Sequence, residues 1–137
     1  MPEITFFCPE KNSVCVDSYG EVELRDVDQS IQESINLLEQ HQCSRLLVDV
    51  RKQTAPLELV DTFDLCKNLL QRLPQDLRIA YIVNDPPRQS HRFFTLLAES
   101  LGRPVNAFYA VEEALEWFAG NVIDKKMPFI GRVKFPS

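Results

Sequence analysis

Apolar residues follow two different periodicities along the chain, and the change from one to the other marks the predicted elements. Residues 45–51 form an almost uninterrupted apolar run that becomes charged only at its end. Such a run is typical of a strand that helices cover on both faces. We therefore predict a buried central strand here, with Asp49 and Arg51 on the same face near its carboxyl end. Residues 77–83 form a second run of this kind.

The chain before the central strand predicts a hairpin and a helix. Two β-rich runs, residues 4–8 and 14–17, flank a turn-like segment that contains Pro9 and Asn12, which favours an antiparallel pair. Tyr19-Gly20 is expected to break the strand, and an extended segment should continue to Asp26. Helical spacing then predicts a first helix over about residues 28–41, with Asp26 or Asp28 as N-cap.

The chain after the central strand predicts a loop over residues 52–56 and three more helices. The second helix should end at Pro74 and bury one face, made of Leu59, Phe63, Cys66, Leu70 and Leu73. The third follows residues 84–88 and should bury Phe93, Leu97 and Leu101, with Gly102 just after its end. A short strand over residues 105–109 precedes a last helix over residues 111–118, which Gly120 should end.

Alternating strands and helices predict right-handed crossovers and parallel pairing. The fold class is therefore a single-domain α/β fold, with about four helices and a mixed, largely parallel sheet. We assign residues 1–120 to this domain. Residues 121–137 form a C-terminal extension in which apolar and basic positions alternate, as in an added edge strand.

Composition narrows the class of protein. The chain has 137 residues and a net charge of −5, which argues against a nucleic-acid binder. We see no signal peptide and no apolar stretch long enough for a membrane span. The four cysteines are scattered without metal-like spacing, which favours buried, reduced thiols in the cytoplasm. A redox pair between Cys8 and Cys15 across the hairpin is the alternative.

Sequence motifs predict no catalytic residues, no metal site and no cofactor. The chain lacks the G-x-S-x-G, Walker A, G-x-G-x-x-G and H-E-x-x-H patterns. His41 and His91 are too few for a metal site and are expected at the surface. Asp49 could act as a general base, but a structural ion pair with Arg51 or Arg78 is the preferred interpretation.

Five segments together carry a family resemblance. They are residues 20–26 leading into the first helix, and residues 46–51, 78–83, 105–108 and 112–118. With these elements in place the chain resembles the SpoIIAA-like branch of the STAS (STAS/SEC14-type) superfamily, the domain of anti-sigma-factor antagonists and of the cytoplasmic tails of sulfate transporters. The resemblance implies the fold more than an activity, because these segments are mostly structural.

The resemblance also implies a phosphorylation site, which this chain matches poorly. Anti-sigma antagonists carry an Asp-Ser-Ser-Gly-type motif after the central strand, whose serine is phosphorylated at the start of the next helix. Residues 49–56 read Asp-Val-Arg-Lys-Gln-Thr-Ala-Pro here. Thr54 is the one residue that could substitute, and it is more simply explained as a helix cap.

Basic and polar residues follow both core strands. If those strands are parallel, the two sets emerge at one edge of the sheet near two helix N-termini, where an anion could bind. The candidate binding residues are Asp49, Arg51, Lys52, Thr54, Arg88, Ser90, His91 and Arg92. The alternative is a solvated basic rim that offsets nearby carboxylates.

Two functions remain open. The first is a non-enzymatic, cytoplasmic, STAS-like regulatory or ligand-binding module that binds a protein or a small anion, and that could form a homodimer. The second is a lipid-handling or small-substrate enzyme domain that holds an anionic group at the basic edge, with Asp49 or His91 as acid or base. A deep apolar pocket beside that edge would favour the second function, and a shallow surface the first.

Overall fold

The computed structural model describes residues 3–120, so the predicted extension at 121–137 lies outside the described part of the chain. Five strands and four helices are present in these described residues, in the order predicted. They are β1 (Glu3–Cys8), β2 (Ser13–Glu21), α1 (Leu24–Gln40), β3 (Arg45–Ala55), α2 (Leu59–Arg72), β4 (Arg78–Ile82), α3 (Gln89–Ser100), β5 (Val105–Phe108) and α4 (Val111–Phe118).

The strands form one mixed sheet in the order β1-β2-β3-β4-β5. β1 and β2 pair antiparallel as the predicted hairpin, and the other three pairings are parallel. β3 occupies the centre, and Leu46, Leu47 and Val50 on it are buried. The predicted α/β fold and its central strand are therefore confirmed.

Helices cover both faces of the sheet unequally. α1, α2 and α3 lie on one face, where their side chains form a core with Val14, Leu46 and Ile79. α4 lies on the other face and packs Ala114 and Phe118 against the central strands. We call these the three-helix face and the α4 face.

The central strand is longer than its apolar run predicts. The expected loop over residues 52–56 and the expected break at Tyr19-Gly20 are both wrong, because β2 and β3 continue side by side, with Lys52 next to Tyr19 and Gln53 next to Gly20. Gly20 adopts a φ of +70°, which glycine tolerates without a steric cost. Backbone pairing thus extends both strands through polar sequence.

Two helix predictions also need correction. α1 begins at Leu24 rather than near residue 28, because Glu23 is its N-cap and the Glu23 backbone N–H donates to Asp26 Oδ2 at 3.0 Å. On α2, the buried positions are Thr62, Cys66 and Leu70. Leu59 and Phe63 at its start are exposed, contrary to the predicted face.

α3 buries a different face from the predicted one. Ser90, His91, Phe94, Thr95 and Ala98 are buried, whereas Leu101 is exposed. Their spacing is helical, but three of the five are polar, so a search for apolar periodicity alone misses them. Within residues 3–120, no helix is long and apolar enough to cross a membrane.

Candidate functional site

The ends of β3 and β4 lie together at one edge of the sheet, as the sequence predicts for parallel strands. Arg88 is the N-cap of α3, and its Nη2 donates to the Gln53 carbonyl oxygen at 3.0 Å. Asn84 Nδ2 donates to the Arg51 carbonyl oxygen at 3.2 Å. The two segments that carry the predicted binding residues are therefore neighbours.

Asp49 and Arg51 form an ion pair on the α4 face of this edge. Arg51 Nη2 lies 2.7 Å from Asp49 Oδ2, and Arg51 Nε lies 3.0 Å from Oδ1. Partial burial by itself would raise the pKa of Asp49. Hydrogen bonds from the Arg51 side chain and backbone N–H have the larger effect, so the pKa of Asp49 lies below its ordinary value. The expected structural ion pair is present, with Arg51 and not Arg78 as the partner.

One register shift in β3 lies between Asp49 and Lys52, and a second lies between Gln53 and Ala55. Asp49 lies next to Asp17, yet Lys52 lies next to Tyr19, so β3 contains one extra residue here, and it gains another between Gln53 and Ala55. An extra residue reverses the side to which later side chains point. Gln53 consequently enters the three-helix face, although it has the same parity as Asp49 and Arg51.

Gln53 connects a row of buried polar side chains across that face. His91 Nε2 and Gln53 Oε1 are 2.7 Å apart, and Gln53 Nε2 donates to Ser18 Oγ at 2.7 Å. Ser18 and Ser30 in turn hydrogen-bond to Glu3. Burial raises the pKa of Glu3 more than these two serines lower it. We call Glu3, Ser18, Gln53 and His91 the polar row.

The prediction that His91 lies at the surface is wrong, since only 3% of it is exposed. Burial, and secondly the charge of Arg88, lower the pKa of His91 to about 4. The imidazole is therefore neutral at pH 7. Gln53 Oε1 can only accept, so His91 donates from Nε2 and Nδ1 is left as an acceptor. Within the described chain Nδ1 has no hydrogen-bond partner.

The remaining predicted binding residues divide between surface and interior. Lys52, Thr54 and Arg92 are exposed. Ser90 is buried, and its Oγ has no hydrogen-bond partner among residues 3–120. Thr54 lies on the extended part of β3 and Glu58 is the N-cap of α2, so the interpretation of Thr54 as a helix cap is wrong. Its phosphorylation stays a prediction, as does anion binding at this edge. Arg51 would contribute to such a site only from the opposite side of the sheet.

An exposed apolar cluster that was not predicted from the sequence begins four residues after the end of β3. It consists of Leu59, Val60 and Phe63 in the first turn and a half of α2, and Val60 is 74% exposed. Leu59 and Phe63 were predicted to be buried because they continue the helical spacing of Cys66 and Leu70. That spacing shows which residues share a face of the helix, but it does not show how much of this face the rest of the protein covers.

A cavity of about 80 Å³ lies between the sheet and the three helices. Its lining is mainly apolar and includes Val48, Val50 and Phe94, and three members of the polar row, Glu3, Gln53 and His91, close one side. The apolar pattern did not predict this cavity, because a cavity depends on how the helices pack against the sheet. No group of three metal-ligating side chains occurs in residues 3–120.

The four cysteines add no second site. Each is a free thiol. Cys15 lies beside Phe6 in the hairpin register, and Cys8 beside Ser13, so the two thiols that could have formed a redox pair are not opposite one another. Burial raises the pKa of Cys15 and of Cys66 to about 11, which makes both thiols unreactive.

The sheet order, the terminal hairpin and the helices define the class as a STAS fold of the SpoIIAA type. Among solved structures, the anti-sigma factor antagonist SpoIIAA in its unphosphorylated form aligns with a TM-score of 0.59. The alignment covers 88% of this chain and 99% of SpoIIAA, at 16% sequence identity. At that identity the likeness shows the fold alone. No protein-family model and no curated protein matches the sequence.

Proposed function

We propose that this protein is a non-enzymatic regulatory module that binds a protein partner through the start of α2. The fold supports the proposal, because SpoIIAA, which shares it, is an antagonist of an anti-sigma factor. The free cysteines fit a reducing compartment, so we place the module in the cytoplasm.

The exposed apolar cluster of Leu59, Val60 and Phe63 is the observation that carries the proposal. Single exposed apolar residues are common, but adjacent ones on one helical turn keep apolar area in contact with water at a free-energy cost. A partner that covers these side chains would remove this apolar area from water, which would stabilise the complex. Lys67 Nζ lies 5.6 Å from the centre of the Phe63 ring, so one cation already covers part of the cluster.

Charged side chains of both signs flank the cluster along the sequence. Glu58 and Asp64, on either side of it, are exposed, and Lys67 lies against the Phe63 ring. We expect a partner surface with an apolar depression that takes these three apolar side chains. Because the flanking charges offset one another, apolar contact should supply most of the affinity, and salt concentration should change binding only weakly.

An enzyme that uses Asp49 or His91 as acid or base is the alternative. The apolar cavity that Gln53 and His91 line fits this alternative. It still has less support, because the side chains of Asp49 and His91 are already held by other groups. Both carboxylate oxygens of Asp49 accept hydrogen bonds from Arg51, and His91 Nε2 contacts Gln53. These contacts are those of structural side chains.

Native mass spectrometry of the protein purified from its own cells tests the proposal. Wild type should carry a second protein in stoichiometric amount, and Val60→Asp should lose about tenfold or more of it, because a carboxylate would be buried at the contact. Leu101→Asp is the matched control, since Leu101 is also an exposed apolar residue, 53% exposed, at the end of α3.

The control variant should retain the partner. Equal recovery of the partner by wild type and Val60→Asp would refute the assigned surface. A complex of two copies of this chain that Val60→Asp dissociates would show that the cluster is a homodimer interface instead. Wild type recovered without any protein attached would contradict the proposed function itself.

A further inference from the structure

The cavity on the three-helix face combines an apolar wall with polar atoms that have no partner. Val50, Ile79 and Phe94 are among its buried apolar lining. Glu3 and His91, at its polar side, each have one buried polar atom without a hydrogen-bond partner in residues 3–120. Buried polar groups are seldom left unpaired, because each costs free energy comparable to a lost hydrogen bond.

The size of the cavity limits what could bind. One group the size of a water molecule needs about 10–15 Å³ of cavity volume. A cavity of about 80 Å³ therefore has room for about five to eight such groups. A ring of six carbon atoms with one substituent has this size. Long acyl chains and nucleotides do not fit without movement of the helices.

The charge of the lining limits the chemistry. Among the described residues, no lysine or arginine lines the cavity, and Glu3 is the one carboxylic acid on it. A carboxylate or phosphate would enter without a counter-ion and close to that acid, which is costly in a buried site. A cation would find only Glu3 as a counter-charge, and burial raises the pKa of Glu3 and so disfavours its charged form. The lining therefore favours an uncharged molecule.

The unpartnered atoms indicate which polar group a ligand would carry. His91 Nδ1 accepts, since Nε2 donates to Gln53 Oε1. The Ser90 hydroxyl, also on the lining and also without a partner, can donate or accept. A hydroxyl group on the ligand would satisfy either atom.

We propose that this cavity binds a neutral molecule of about five to eight non-hydrogen atoms that has an apolar body and one hydroxyl group, such as a small phenol or alcohol. The apolar body lies against the sheet and α2, and the hydroxyl group lies at Ser90 and His91. This inference does not depend on the proposed protein partner.

Phenol and toluene form a matched pair of probes, since they have the same size and differ by a hydroxyl in place of a methyl group. Titration of the isotopically labelled protein, followed by NMR, should show saturable shifts at Val50, Ile79 and Phe94. Phenol should bind more tightly than toluene by about fivefold or more, because only phenol can pair with the buried acceptors.

Three variants locate the site. Ser34 is buried on α1 and lines the cavity, so Ser34→Leu should fill it and abolish binding of both compounds. Ser100→Leu, at an exposed position on α3 outside the lining, is the matched control and should bind both as wild type does. Ser90→Ala should keep toluene binding and reduce the preference for phenol.

Wild-type protein alone can overturn the proposal, so it stays falsifiable even if a variant fails to fold. Absence of saturable shifts at the lining with either compound would exclude a binding site. Equal affinity for phenol and toluene would exclude the hydroxyl-bearing class. Undiminished binding to folded Ser34→Leu would place the site elsewhere.

Discussion

The buried, neutral His91 makes a specific prediction about stability and pH. The pKa of His91 falls from its ordinary 6.5 to about 4 in the folded protein, whereas the unfolded chain keeps the ordinary value. Between these two pH values the unfolded state binds more protons, so unfolding becomes easier as pH falls. The contribution is fully present above about pH 6.5 and is lost as pH falls toward 4.

The magnitude follows from the size of the shift. One pKa unit corresponds to about 1.4 kcal/mol, so the two pKa values give a loss of about 2 kcal/mol between pH 7 and pH 5. His91→Gln is the suitable comparison, because glutamine can still donate to Gln53 but does not titrate. Glu3 titrates in both proteins, so its opposite effect cancels in the difference.

Urea unfolding of wild type and His91→Gln at pH 7 and pH 5 measures this difference. The free energy of unfolding of wild type should fall relative to the variant by about 2 kcal/mol over that range. A difference that stays constant within about 0.5 kcal/mol would refute the argument. It would mean that the imidazole keeps its ordinary pKa in the folded protein, as a solvated side chain does.

Three further predictions concern the core and the edge of the sheet. Leu47→Ala should lower the free energy of unfolding by about 2 to 4 kcal/mol in urea, because Leu47 is 4% exposed and truncation leaves a cavity. Trp117, with its ring 5.8 Å from that of Phe108, should emit at shorter wavelength than free tryptophan and resist iodide quenching. Arg51→Ala should lower the free energy of unfolding by less than about 1 kcal/mol, because the ion pair of Arg51 with Asp49 is partly exposed. A larger decrease in urea unfolding would show that Arg51 has a structural role beyond this ion pair.

Sequence periodicity predicted those parts of the fold that depend on local apolar pattern. The runs that became β3 and β4 are apolar on both faces, and only a strand covered on both sides by helices satisfies that pattern. The ion pair of Asp49 and Arg51 was also predictable, because residues two apart on a regular strand share a face.

The polar interior was not predictable in this way. Gln53 reaches the cavity only because of an extra residue in β3, and nothing in the apolar pattern marks a bulge. His91 is buried because Gln53 satisfies its Nε2, so the burial of each of these residues depends on the other. Such paired burial is a tertiary property, which single-residue hydrophobicity cannot show.

Hydrogen exchange of the protein, free and in complex with its captured partner, tests the central claim most directly. Backbone amides in residues 57–65, which span the exposed apolar cluster at the start of α2, should exchange more slowly in the complex. Amides around Leu101 should exchange equally in both samples. Unchanged exchange over residues 57–65, with protection elsewhere on the surface, would contradict the account.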